Sequence, residues 1–174
     1  QYPDFFGPSM MFVDADHGVM RGGGAATTFP PHRQYGVIVT SNGGQTWTYV
    51  DVPNAPPVDS EPGGNGLVSV ANFGAIDATH WIICGSENIG TYMGSGTPGW
   101  VTIWETDDAG VNWRLAKTWR EDYGGCPSLG VESSGRAFLF DTGGDFGGSR
   151  ILALRDPSGT WTLRLGNWTD PDGN

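Results

Sequence analysis

Two stretches of this sequence return in altered form, and that repetition restricts the available folds more than composition does. Asp14-Ala-Asp-His17-Gly-Val-Met-Arg-Gly22 comes back 63 positions later as Asp77-Ala-Thr-His80-Trp-Ile-Ile-Cys-Gly85. Thr40-Ser-Asn42-Gly-Gly44-Gln-Thr46-Trp47 comes back 66 positions later as Thr106-Asp-Asp108-Ala-Gly110-Val-Asn112-Trp113. The two travel together as one unit of about sixty residues. A worn third copy aligns without a gap at an offset of 114, setting residues 151–162 on 37–48. Leu154 then stands at the threonine and Ser158 at the glycine, while Asp156, Thr160 and Trp161 persist. Glu132 to Phe140 holds the place of Asp-Ala-x-His and the strand after it. The chain reads as a single domain over residues 1–174, with units at approximately 9–60, 61–125 and 126–174.

Inside each unit the apolar residues come in short runs separated by glycine-rich punctuation, with no sustained helical period. The pattern predicts four strands per unit. They fall at 9–13, 19–22, 35–40 and 46–52, then 67–73, 81–85, 100–106 and 112–118, then 128–132, 137–141, 150–154 and 160–165. These runs are rich in Val, Ile, Thr and aromatic residues, which suit a pleated, half-buried surface. Two turns recur. In Thr-x-Asn/Asp-x-Gly-x-Thr/Asn-Trp, the Asn or Asp side chain accepts from amides just ahead and glycine takes the positive φ. The tryptophan is expected to begin the returning strand and bury its ring over the hairpin. In Asp-Ala-x-His the aspartate closes a tighter turn in the same way.

Thr40, Asn42, Gly44, Thr46 and Trp47, with Thr106, Asp108, Gly110 and Trp113, resemble the Asp-box, or bacterial neuraminidase repeat; Asp156 and Trp161 carry its remnant. The preceding Phe12-Val-Asp14-Ala-Asp-His17-Gly looks like the strand and turn found before it in propeller proteins similar to photosystem assembly factors. The resemblance implies an all-β fold of propeller-type blades, each a four-stranded antiparallel unit with the Asp-box hairpin between its third and fourth strands. It says little about function, because such hairpins occur on propellers with many activities. Closed propellers have roughly four to eight blades, so three units imply a partial ring. Its completion is expected from further blades of a longer chain, from a second copy in a homo-oligomer, or from a terminal segment.

A net charge of −10 and a pI near 4.4 argue against a nucleic-acid partner, whose phosphates call for a basic footprint. No run of eighteen apolar residues is present, so no membrane-spanning helix is expected. The chain starts without a basic and apolar leader, so a secretion signal is expected to have been removed or to lie upstream. Cys84 and Cys126 fall in neighbouring units; they are either bridged, which implies an oxidising compartment, or buried free thiols.

His17 and His80 occupy one slot of successive repeats and read as turn residues. Asp14-x-Asp16-x-Gly18 begins like a calcium loop but lacks the later ligands; Asp141 and Asp145, in a glycine-rich loop, are the weak candidates for Ca²⁺, and no other metal or cofactor is expected. Complete sialidase chemistry needs placed carboxylates and an arginine cluster, whereas Arg21, Arg33, Arg120 and Arg136 are scattered. The loops between second and third strands carry Phe29, His32, Arg33, Tyr92, Met93 and Phe146, a surface suited to protein or glycan. The sequence thus points to a non-catalytic binding or assembly scaffold outside the cytoplasm, extracellular or periplasmic. The alternative is a fragment of a sialidase-like or xyloglucanase-like glycoside hydrolase.

Overall fold

A strand that reads Trp81-Ile-Ile-Cys84 has no polar side, so it must be covered on both faces. The computed structural model, which describes residues 10–22, 36–53, 68–88, 99–121, 128–141 and 150–164, shows how. Its regular elements are twelve strands, with no helix among the described residues. The first sheet contains β1 (Met10–Phe12), β2 (Gly18–Gly22), β3 (Gly36–Thr40) and β4 (Thr48–Asp51). The second holds β5 (Val68–Ala75), β6 (Trp81–Asn88), β7 (Gly99–Thr106) and β8 (Arg114–Glu121). The third holds β9 (Ser128–Val131), β10 (Ala137–Asp141), β11 (Arg150–Arg155) and β12 (Trp161–Leu163). In each, consecutive strands pair antiparallel in chain order.

The second sheet lies between the other two. Trp81 and Ile83 point to the first sheet and join Trp104 and Trp113 in packing on Val19, Val37 and Val52. Ile82 and Cys84 point the other way, with Val101, Ile103 and Trp119, onto Ala137, Leu139, Ala153 and Trp161. All four residues of Trp81 to Cys84 are buried, at no more than 1% exposure. Each large aliphatic side chain so buried contributes roughly 1.5–3 kcal/mol. A hydrogen bond crosses the first interface, from the Trp104 indole N–H to the Pro53 carbonyl at 2.7 Å. The leading strands are neighbours, with β5 touching β1 on one side and β9 on the other. Where β5 meets β9, a Cβ on Gly74 would come within 2.2 Å of Val131, so glycine permits the approach.

The repeat is also a repeat of register. Met10, Met20, Ile38 and Tyr49 form a cross-strand row in the first sheet. Phe73, Ile83, Trp104 and Leu115 form the same row in the second, and Leu129, Leu139, Ala153 and Leu163 in the third. The third copy departs from the gap-free match. Thr40 stands opposite Gly18 and Thr106 opposite Trp81, but their counterpart, opposite Ala137 and Trp161, is Arg155 and not Leu154. The third hairpin is shorter by one residue, and a one-residue slip turns Leu154 to the other face. The returning strand also starts two residues later than the expected 46 and 112 in the first two units, at Thr48 and Arg114, directly after the tryptophan expected to begin it.

Candidate functional site

The turns that the sequence repeats gather at one end of the sheets, where first strand meets second and third meets fourth. In the first unit, Asp14 Oδ1 accepts from the amides of Asp16 at 2.8 Å and His17 at 2.7 Å, and Asp14 Oδ2 lies 2.9 Å from His17 Nδ1. In the second, Asp77 Oδ1 accepts from the amides of Thr79 and His80, both at 2.8 Å, and Asp77 Oδ2 lies 2.7 Å from His80 Nδ1. The contacts of the His17 ring and amides hold the Asp14 carboxyl down to about 2 from an ordinary 3.8. At Asp77 partial burial pushes upward, yet the amides and the His80 ring prevail and leave it at about 2.

A folded-state value below the unfolded one stabilises the protein above the unfolded pKa, and that stability is lost as pH falls through the folded value. Both turns therefore weaken as the pH drops from about 4 to about 2. An Asp14→Asn/Asp77→Asn variant should be less stable at neutral pH and lose less on acidification across that window. Urea midpoints at a series of pH values check this, and parallel curves for the two proteins would contradict it.

The hairpins dock on these turns. The Gly43 amide donates to the Asp16 carbonyl at 2.9 Å, and the Ala109 amide to the Thr79 carbonyl at 3.0 Å. Inside the first hairpin, Asn42 Oδ1 accepts from the Thr40 hydroxyl at 3.0 Å and the Thr46 amide at 2.9 Å. Thr40 Oγ1 in turn accepts from the Gly44 amide at 3.0 Å. The second repeats this with Thr106, Asp108, Gly110 and Asn112, and the Trp113 indole donates to the Gly110 carbonyl at 3.0 Å. In the third, Asp156 Oδ1 accepts from the amides of Ser158 at 2.9 Å and Thr160 at 3.0 Å. Trp113 and Trp161 are buried at 7% exposure. Trp47 is only half-buried and stands edge-on to Phe12 with ring centroids 5.9 Å apart; no sheet among the described residues covers that face of the first.

Sequence reasoning missed one cluster. Glu105, 2% exposed, lies between the second and third sheets; its Oε1 accepts from Arg155 Nε at 2.8 Å and from the Trp161 indole at 2.7 Å. Arg114, half-exposed, bonds the other carboxylate oxygen. Burial pushes the Glu105 carboxyl up, but Arg155 and Trp161 outweigh it and hold it below the ordinary value. Arg155 also donates to the Gly135 carbonyl at 2.6 Å. The available signals were a glutamate directly after the β-forming run Val101-Thr-Ile-Trp104 and an arginine at the third hairpin.

An open cleft of about 360 Å³ lies where β1 and β5 end, lined by residues 11–13 and 75–78. Of the loop candidates, Phe29, His32, Arg33, Tyr92, Met93 and Phe146 all lie outside the described residues. So does Asp145, while Asp141 ends β10 with its side chain undescribed. Among the described residues no group of three or more His, Cys, Asp or Glu is placed to hold a metal ion. Cys84 is disulfide-bonded; Cys126, the chain's other cysteine, lies outside the described residues. No helix among the described residues is long and apolar enough to cross a membrane. The sequence matches no family model and no curated protein.

Proposed function

We propose that the chain is a non-catalytic binding or assembly scaffold built from Asp-box propeller blades, acting outside the cytoplasm and contacting protein or glycan through its second-to-third-strand loops. The observation that carries this reading is how the repeated polar residues are used. The carboxylates and amide of Asp14, Asp77, Asn42, Asp108 and Asp156 accept from their own turns' amides, so the repetition serves construction. Stacked sheets with neighbouring leading strands support the blade arrangement.

The loops leave from the far end of each sheet, where Gly22 pairs with Gly36, Asn88 with Gly99 and Asp141 with Arg150. Three variable loops carried by a rigid stack suit recognition. The disulfide at Cys84 fits an oxidising compartment. A glycan array run beside a panel of fluorogenic glycosides tests the reading. Binding without hydrolysis, weakened by Phe29→Ala and Tyr92→Ala, is the expected result; hydrolysis above background would overturn it in favour of a glycosidase fragment.

A further inference from the structure

We propose that the open face of the first sheet is a docking surface for the third sheet of a second copy of this chain. The inference rests on the blade reading above and names the partner. Its basis is an interface that the chain already makes twice. In the second sheet, the row through Phe73, Ile83, Trp104 and Leu115 packs beneath the first sheet, with Ile83 and Trp104 fully buried. In the third sheet, the row through Leu129, Leu139, Ala153 and Leu163 packs beneath the second. The equivalent row of the first sheet, through Met10, Met20, Ile38 and Tyr49, is apolar except for the Tyr49 hydroxyl. It stays open, with Met10 at 56% exposure, Tyr49 at 43% and the adjacent Phe12 at 44%.

The third sheet carries the matching half. The side of a sheet that covers its successor is lined by Met11, Val19 and Val39 in the first sheet and by Gly74, Ile82 and Glu105 in the second. The same register in the third sheet places Gly130, Phe138 and Leu154 there. Phe138 and Leu154 are half-buried, and Phe138 stacks on Phe140 with ring centroids 5.7 Å apart. The first and third of the described sheets thus carry the two complementary halves of a contact that the three sheets make twice among themselves. A head-to-tail pair forms that contact twice more and joins six sheets, within the roughly four to eight of a closed ring. The occupant is a second copy because the complementary face is on the chain itself.

Light scattering on the intact chain across a wide concentration range should give twice 18.5 kDa. Met10→Glu and Leu154→Glu, each placing a charge on one half of the contact, should each give a monomer with an unchanged circular dichroism spectrum. Mixing the two variants should restore a pair, because one unaltered contact remains between a Met10→Glu chain and a Leu154→Glu chain. That recovery separates head-to-tail docking from a face meeting its own copy. Met10 is exposed, so Met10→Glu decides the matter if Leu154→Glu does not fold. A particle of 18.5 kDa at every concentration, or a dimer indifferent to Met10→Glu, would overturn the proposal. Either outcome leaves the scaffold reading standing, since the glycan and glycoside assays test that separately.

Discussion

Replacing Arg155 with methionine should lower the stability of this protein by about 3 kcal/mol or more at neutral pH, because breaking a buried ion pair leaves a charge without its partner. Glu105 is 2% exposed and Arg155 9%, and the pair joins the second sheet to the third. Without Arg155, Glu105 keeps the Trp161 indole and the half-exposed Arg114, while burial still opposes its charge. Its carboxyl then titrates higher than in the parent, because the contacts of Arg155 no longer offset its burial, so the deficit grows as pH rises through the interval between the two folded values. The deficit of Arg155→Met relative to the parent should accordingly be smaller near pH 4 than near pH 7. Adding Glu105→Gln should recover part of the loss at neutral pH. Chemical denaturation at both pH values measures this; a loss below about 1 kcal/mol would show that the pair does not hold the sheets together.

The equivalent glycines of the first two hairpins should respond unequally to alanine. Gly44 has φ +83° and Gly110 φ +86°, so both pay the left-handed strain of a side chain, roughly 1–2 kcal/mol. A Cβ on Gly44 would meet nothing closer than 3.6 Å, in the rings of Phe12 and Trp47. On Gly110 it would come within 2.8 Å of the Trp81 ring and 2.9 Å of Val39, wedged where the first and second sheets pack. Overfilling a packed site adds about 1–3 kcal/mol. Gly110→Ala should therefore lower the melting temperature clearly more than Gly44→Ala. Equal shifts would mean that the sheets do not press together at that point.

The twelve strands were legible because each is a short run of β-formers bounded by turn chemistry, and the chain repeats the signal three times. The hairpin residues were legible for the same reason: an Asn or Asp, a glycine and a tryptophan at fixed spacing have one local solution. The contact of Glu105 with Arg155 was not legible, because it joins different units across a register that no local pattern specifies. The gap-free alignment of the third copy misplaced Leu154 for a related reason. Sequence similarity matched the residues around Asp156, whereas strand pairing counted one residue fewer between Arg155 and Trp161. Trp47 shows the same limit, since among the described residues no sheet lies over it, and nothing in the hairpin itself encodes that. The loop residues proposed for recognition lie in segments whose length and composition differ between units, where repetition carries no information.

The central claim is that three copies of one unit stack into a single cooperative body whose middle copy is enclosed. Native-state hydrogen exchange tests it most directly. The amides of Trp81 to Gly85 and Val101 to Thr106, buried at the centre of the second sheet, should exchange slowest and only through global unfolding. Those of β1 and β4 in the first sheet should exchange faster, through local opening. Three sheets that exchange independently, or a second sheet no better protected than the first, would contradict the account.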